Sequence, residues 1–262
     1  MSSLSYAASD TLVIAVRNLK RIPRQPDLLT AFTIQPIMFV LLFVYVFGGA
    51  IQVPPIYDDY TDFLIPGIIV QSMAFGGFVT ALSLTDDLNR GLIDRFRSLP
   101  MTQWAVVAGR TVADVLTNMI SLAVMVVVGL IVGFSFTEPL GEVLLGVLLM
   151  ICFGYAFSWV FAWVGLVSSS PESANAFGFT AIFPLTFVSS AFVPPETMPA
   201  AIQWFADINP FSTVVDALRS LWVGGPAGND VWAAFAWSIG IAVVFATITA
   251  HRYRRAVLAR AG

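Results

Sequence analysis

Long apolar runs separated by short charged punctuation dominate the chain. Residues 28–57 carry no acidic or basic side chain between Asp27 and Asp58. The same holds for 63–85, 115–137, 143–171, 173–195 and 231–251, each closed at both ends by a charged residue. About 20 apolar residues in a helix cross about 30 Å of hydrocarbon. The pattern therefore predicts six spanning helices, at 28–50, 63–85, 111–134, 143–169, 174–194 and 231–251. Backbone groups in lipid must be paired internally, and runs this continuous pair them as helices rather than as the alternating strands of a barrel. The predicted fold is an all-α integral membrane protein, one transmembrane domain over residues 1–262.

Three segments do not fit a span. Leu12, Val16, Leu19 and Ile22 recur at helical spacing while Arg17, Lys20 and Arg21 fall mostly on the opposite side, which predicts an amphipathic helix over 6–24, continued by Arg24, lying in the membrane interface. The window DDLNRGLIDRFRSLPMTQWAVVAGR (86–110) crowds four arginines and three aspartates into an otherwise charge-poor chain. Within it Leu88, Leu92, Phe96 and Leu99 repeat at four, four and three. Arg90, Asp94, Arg95 and Arg97 occupy other faces, and Pro100 stops the helix. Residues 195–228 are apolar yet broken by Pro195, Pro199 and Pro210. Two short stripes, Met198–Ile202–Phe205 and Val214–Leu218–Leu221, predict a re-entrant helix pair that enters one leaflet and turns back.

Charge sets the orientation. With six spans both termini share a side, and that side carries all but one of the 13 basic residues, the exception being Arg219. The opposite side carries Asp58, Asp59, Asp62, Glu138, Glu142, Glu196, Asp207, Asp216 and Asp230. The positive-inside rule predicts a multi-pass plasma (inner) membrane protein with both termini cytoplasmic, so the 86–104 segment is cytoplasmic and the 195–228 segment extracellular. No cleavable signal peptide is expected. Composition agrees: 58% of residues are hydrophobic and 11% charged, with a mean hydropathy of +0.83, against about 25% charged in a soluble domain.

Candidate chemistry is sparse. A single cysteine, Cys152, and a single histidine, His251, leave no sequence basis for a disulfide within the chain or a metal site. The phosphate-cradling pattern GxxxxGK[ST] does not occur, nor does a Ser-His-Asp or HExxH arrangement, so no catalytic residues, bound cofactor or nucleic-acid partner are expected. The apolar runs carry no ionisable ring of the kind that ion-coupled carriers use. Their polar residues include Gln35, Gln71, Asn118, Asn175, Thr186 and Ser189. These either hydrogen-bond between helices or line a path for an amphiphilic substrate. Gln35–Pro36 and Pro66–Gly67 predict kinks, and Arg110 with Asp114 predicts a local i,i+4 salt bridge. Phe153–Trp163 read as packing aromatics, Gly154, Ser158, Ala162 and Gly165 as a seam for a neighbouring helix, and Trp104, Trp204, Trp222 and Trp232 as interfacial anchors.

Taken with RNLKRIPRQPDLL, DFLIPGIIVQSMAF, RGLIDRFRSLPMTQWAVVAGRTVAD and FPLTFVSSAFVPPETMPAAIQWFADINPFSTVVDALRSL, the chain resembles the membrane permease subunits of type-2 ABC exporters, particularly the daunorubicin-resistance-like branch. The resemblance covers almost the whole chain. It implies that residues 88–100, with Leu88, Arg90, Leu92, Asp94, Arg95, Phe96, Arg97, Leu99 and Pro100, are a coupling helix docking on a separate ABC ATPase. It implies an interface helix carrying Arg17, Lys20, Arg21 and Arg24, and outer re-entrant helices near the exit. Two ATPase subunits, which would hold ATP and Mg, and a second permease chain, identical or sister, complete the implied assembly. The implied activity is ATP-driven export of amphiphilic or hydrophobic compounds such as drugs, polyketides or lipids. The alternatives are export of a polysaccharide or teichoic-acid lipid on the same architecture, and a non-ABC membrane scaffold or ion-coupled carrier.

Overall fold

The computed structural model describes residues 13, 16, 26–51, 53–57, 59–89, 105–225 and 230–259. The described residues contain helices and turns and no strand. Helix α1 (Pro26–Leu42) runs on into a π-helical turn, Phe43–Phe47. Then follow α2 (Tyr60–Phe75), α3 (Phe78–Asn89), α4 (Ala105–Val132), α5 (Leu140–Val167) and α6 (Pro171–Phe187). A 3₁₀ turn, Pro195–Thr197, leads to α7 (Ala200–Ile208), α8 (Pro210–Trp222) and α9 (Asp230–Ala259).

Among the described residues four stretches are long and apolar enough to cross a membrane: Tyr60–Asn89, Val107–Val132, Leu140–Val167 and Asp230–Tyr253. The first joins α2 and α3 across the Gly76–Gly77 step. The other two predicted spans are shorter as regular helix. Helix α1 has 17 residues of regular α-helix before its π turn, and α6 stops at Phe187 although the apolar run reaches residue 195. Part of the reason is local. Pro184 lies inside α6 and supplies no N–H to the turn before it. The chain then turns at Ser189 and Ser190 toward Pro194 and Pro195.

Helix starts follow their capping residues. Asp59 accepts from the Tyr60 amide at 2.7 Å and opens α2. Ser170 and Ser173 form a reciprocal capping box with Pro171 in the first turn of α6, a standard closure of orphan amides. Asn209 accepts from the Phe211 amide at 2.9 Å and opens α8. Gly224 and Gly225, at φ +82° and +137°, turn the chain away after α8 in a region that side-chain-bearing residues avoid.

At the centre stands α5, which packs against α2, α3, α4, α6, α8 and α9. Its Phe153, Phe157 and Phe161 recur at every fourth residue and are all buried, facing Phe211 of α8 and Phe78 of α3, whose ring centroid lies 4.3 Å from that of Phe161. The expected packing of this aromatic run and its small-residue seam is what the fold contains. A methyl at Gly165 would lie 2.8 Å from the Ala81 carbonyl oxygen, and one at Gly154 would lie 2.8 Å from the Asn118 amide. Gly67 of α2 is pressed so closely on the Ala191 backbone that a methyl would overlap it. Small residues let helix backbones approach where lipid provides no hydrophobic drive for association.

Trp222 departs from the interfacial expectation. It is fully buried between Phe134 and Phe136, and its indole donates to the Val143 carbonyl at 3.1 Å. Trp204 and Trp232 are exposed; Trp104 lies outside the described residues. Of the two stripes in 195–228, Val214, Leu218 and Leu221 face the core, whereas Ile202 is exposed on α7.

Candidate functional site

Polar side chains gather at three levels along α2 and α3. At the middle, Gln35 and Pro36 of α1, Gln71 and Ser72 of α2 and Gly76 just past its end line, with Ser121 of α4, a narrow cleft of about 20 Å³. That is room for about one water. Gln71 is buried, and its Nε2 lies 3.5 Å from Thr186 Oγ1 on α6. Thr186 donates to the Phe183 carbonyl, and Ser189 donates to the Thr186 carbonyl at 2.6 Å. Asn118 of α4 sits behind this cleft, wedged against Gly76 and Gly154, with its Nδ2 unpaired. The structure therefore brings together Gln35, Gln71, Thr186 and Ser189 and sets Asn118 behind them. Asn175 is exposed near the start of α6. Beside the cleft a run of rings passes from Phe75 through Phe179, Phe183 and Phe187 to Phe192 and Phe43, with centroid spacings of 4.2–6.0 Å.

Near the start of α2, Arg219 of α8 is 2% exposed. Its Nε donates to the Phe63 carbonyl at 2.8 Å and its Nη2 to the Ser190 and Ala191 carbonyls at 2.7 and 3.2 Å. Its Nη1 lies 2.9 Å from Asp216 Oδ1, which also accepts from Ser190 Oγ at 2.8 Å. Burial lowers the guanidinium's proton affinity and Asp216 restores part of it. Burial pushes the Asp216 carboxyl up, while Arg219 and Ser190 pull it back. This pair floors a cavity of about 380 Å³ that Tyr57, Glu196, Asp207 and Asp230 also line. Desolvation raises the Tyr57 phenol. Among the described residues no three His, Cys, Asp or Glu side chains are grouped to hold a metal.

Along α3, Arg110 of α4 reaches across to both the first turn and the last turn of that helix. Its Nη1 is 3.9 Å from Asp87 Oδ2, its Nε donates to Thr80 Oγ1 at 3.4 Å and its Nη2 to the Val79 carbonyl at 3.3 Å. Thr80 in turn donates to Asp114 Oδ2. In place of the expected direct Arg110–Asp114 salt bridge, Arg110 pairs across to Asp87 of α3 and the Thr80 hydroxyl stands between Arg110 and Asp114.

Of the coupling residues, Leu88 is described; it packs on the cluster formed by Leu84, Val107 and Tyr253. Arg90, Leu92, Asp94, Arg95, Phe96, Arg97, Leu99 and Pro100 lie outside the described residues, as do Arg17, Lys20, Arg21 and Arg24 of the interface helix. Sequence reasoning missed two residues that organise the fold. Asn209 donates from Nδ2 to the Leu185 and Val188 carbonyls, both at 2.7 Å, closing the end of α6 while its Oδ1 opens α8. The Asn-Pro step was the available signal, since it places a capping residue before proline at a helix start. Arg219 was readable only as Asp216's i,i+3 neighbour; its carbonyl partners are 28 to 156 residues away.

A small-residue-packed helical bundle that holds polar groups at discrete levels, with four described stretches long and apolar enough to cross a bilayer, is the build of a membrane-embedded protein. The profile of the ABC-2 type transporter family matches residues 9–222, and the chain belongs to that family. It is 37% identical over 248 residues, 95% of this chain and 87% of the other, to a daunorubicin resistance ABC transporter permease protein, DrrB1, of Streptomyces coeruleorubidus. It is 25% identical, over 95% of this chain and 89% of the other, to a probable doxorubicin resistance ABC transporter permease protein, DrrC, of Mycobacterium tuberculosis. A probable multidrug ABC transporter permease of Escherichia coli, YbhR, shares 22% identity over 66% of this chain and 47% of its own.

Proposed function

We propose that this chain is the membrane permease subunit of an ATP-driven ABC exporter that moves amphiphilic or hydrophobic compounds, drugs among them, out of the cell. The identity with the Streptomyces permease over 95% of the chain carries the reading. ATP hydrolysis belongs to a partner ABC ATPase, which holds the nucleotide and Mg. This chain contributes the path and the surface on which the ATPase acts.

The assembly is two permease chains, identical or sister, beside two ATPases. Six spans cross the plasma membrane with both termini cytoplasmic. Alternation supports this: α2 starts beside Arg219 and α3 ends beside Arg110, whereas α4 starts at Arg110 and finishes where the Ser135 amide meets Asp62. The preceding segment and the tail after Tyr253 then fall on the basic, Arg110 side. The 88–100 segment docks in the ATPase, with Leu92 and Phe96 in a groove and Arg90, Asp94, Arg95 and Arg97 fixing register. Closure of the ATPases on ATP moves this segment, and the permeases rock to open outward. The cleft lined by Gln35 and Gln71, with Thr186 and Ser189 packed beside Gln71, Asn118 behind it and Asn175 toward the cytoplasmic mouth, lies on the substrate's way.

The test is reconstitution of the chain with its co-encoded ATPase in liposomes, with doxorubicin as the fluorescent probe. Efflux that requires ATP and no ion gradient is expected. Efflux that follows an ion gradient without ATP, or nucleotide hydrolysis by the permease alone, overturns the reading.

A further inference from the structure

The connector between α3 and α4 leaves from one end of a buried charge cluster and returns to the other. Asp87 stands two residues before the end of α3, and Arg110 lies in the second turn of α4. Asp87, Arg110 and Asp114 are all buried, with exposures of 4%, 8% and 7%. Three different nitrogens of Arg110 meet α3, at Asp87, Thr80 and the Val79 carbonyl. A planar fork held at three points fixes orientation as well as distance. Thr80 accepts from Arg110 and donates to Asp114, so two successive turns of α4 are tied to two turns of α3. Pulling the helices apart would break all three of these Arg110 contacts at a buried site, which opposes separation. Just beyond Thr80 lies the Gly76–Gly77 step, where regular helix is interrupted between α2 and α3.

We propose that Asp87, Thr80, Arg110 and Asp114 form a rigid joint that makes α3 and α4 move as one body when the connector is displaced, with the Gly76–Gly77 step as the compliant point above it. The proposal rests on the coupling reading above and assigns these four residues as positioning residues in force transmission. Without the joint, a push on residues 90–104 is absorbed by sliding between the two helices.

Two measurements test it in the full permease–ATPase complex. In liposomes, Arg110→Gln is expected to lower doxorubicin efflux per ATP hydrolysed at least fivefold while the ATPase still copurifies in wild-type yield. Thr80→Val, which removes the hydroxyl bridge and no charge, lowers it about twofold and decides the matter if Arg110→Gln fails to assemble. A merely structural cluster would reduce the amount of complex and leave efflux per ATP unchanged, and that result overturns the joint. Separately, spin labels at the exposed Asn89 and Val112 should give one narrow distance distribution, unchanged by nucleotide trapping and broadened by Thr80→Val; an unbroadened distribution also overturns it. Absence of ATP-driven efflux in the wild-type complex refutes the exporter reading instead, and the label distances still judge the joint.

Discussion

The guanidinium carbon of Arg219 lies 3.6 Å from the centroid of the Phe63 ring while its Nε donates to the carbonyl of the same residue at 2.8 Å. One side chain thus holds the start of α2 by both face and backbone, and reaches the Ser190–Ala191 turn with its other nitrogens. Arg219→Gln takes the partner from Asp216, whose side chain is 43% exposed and keeps its Ser190 contact, and leaves three carbonyls short of a donor. The expected loss comes mainly from those carbonyls, about 1–3 kcal/mol for each one left unpaired. Arg219→Lys should recover only part of it, because a single ammonium cannot fork across these acceptors. Thermal unfolding of purified protein in detergent checks both; a lysine variant as stable as wild type would refute the fork argument.

Asn209 joins two helices with one amide. Asn209→Ala removes the cap of α8 and the donors to Leu185 and Val188. Losing a cap costs about 1 kcal/mol, and each unpaired buried carbonyl about 1–3 kcal/mol. Asn209→Ser keeps a capping acceptor and loses the two donor contacts, so it should fall between wild type and alanine. Ranking the three unfolding temperatures measures the two contributions separately.

Gly67 faces the Ala191 backbone with no space for a methyl. Gly67→Ala should therefore destabilise, even though alanine is intrinsically the better helix former by about 1 kcal/mol. Glycine-to-alanine at Gly141, where a methyl would meet nothing, is the control and should be neutral or slightly stabilising. Equal unfolding temperatures for the two variants would contradict the close approach of α2 to the Ala191 turn.

Gln71 makes only a long contact to Thr186. Gln71→Leu keeps the volume and gives up little, about 0.6 kcal/mol for an average polar contact between membrane helices. The protein should fold and assemble normally. If the cleft lies on the substrate's way, the half-saturating doxorubicin concentration shifts at least threefold with the ATP turnover little changed. A wild-type concentration dependence would remove Gln71 from the path.

Much of the bundle was legible because hydropathy runs are long and lipid permits few backbone solutions. The second, third, fourth and last runs coincide with the four long helices, and Phe153, Phe157 and Phe161 repeat at the spacing that buries one face of α5. Helix ends were less legible. The run to residue 195 hid the stop at Phe187, which depends on Pro184 and on an amide more than 20 residues downstream. Trp222 was misread because tryptophan's usual place at an interface says nothing of an aromatic slot formed by Phe134 and Phe136 of another loop. The polar candidates were found by residue type alone. Grouping Gln71 with Thr186, or Arg110 with Thr80 and Asp87, requires knowing which helices touch, and no single-helix periodicity carries that information.

The closure of α6 by Asn209 also bears on how the chain is made. A ribosome releases Val188 well before the residue that satisfies its carbonyl, which comes 21 positions later. Until then the nascent α6 ends in bare acceptors, and only the arrival of the following hairpin completes it. Truncations that stop between these two points should be the ones a cell's quality-control proteases find first.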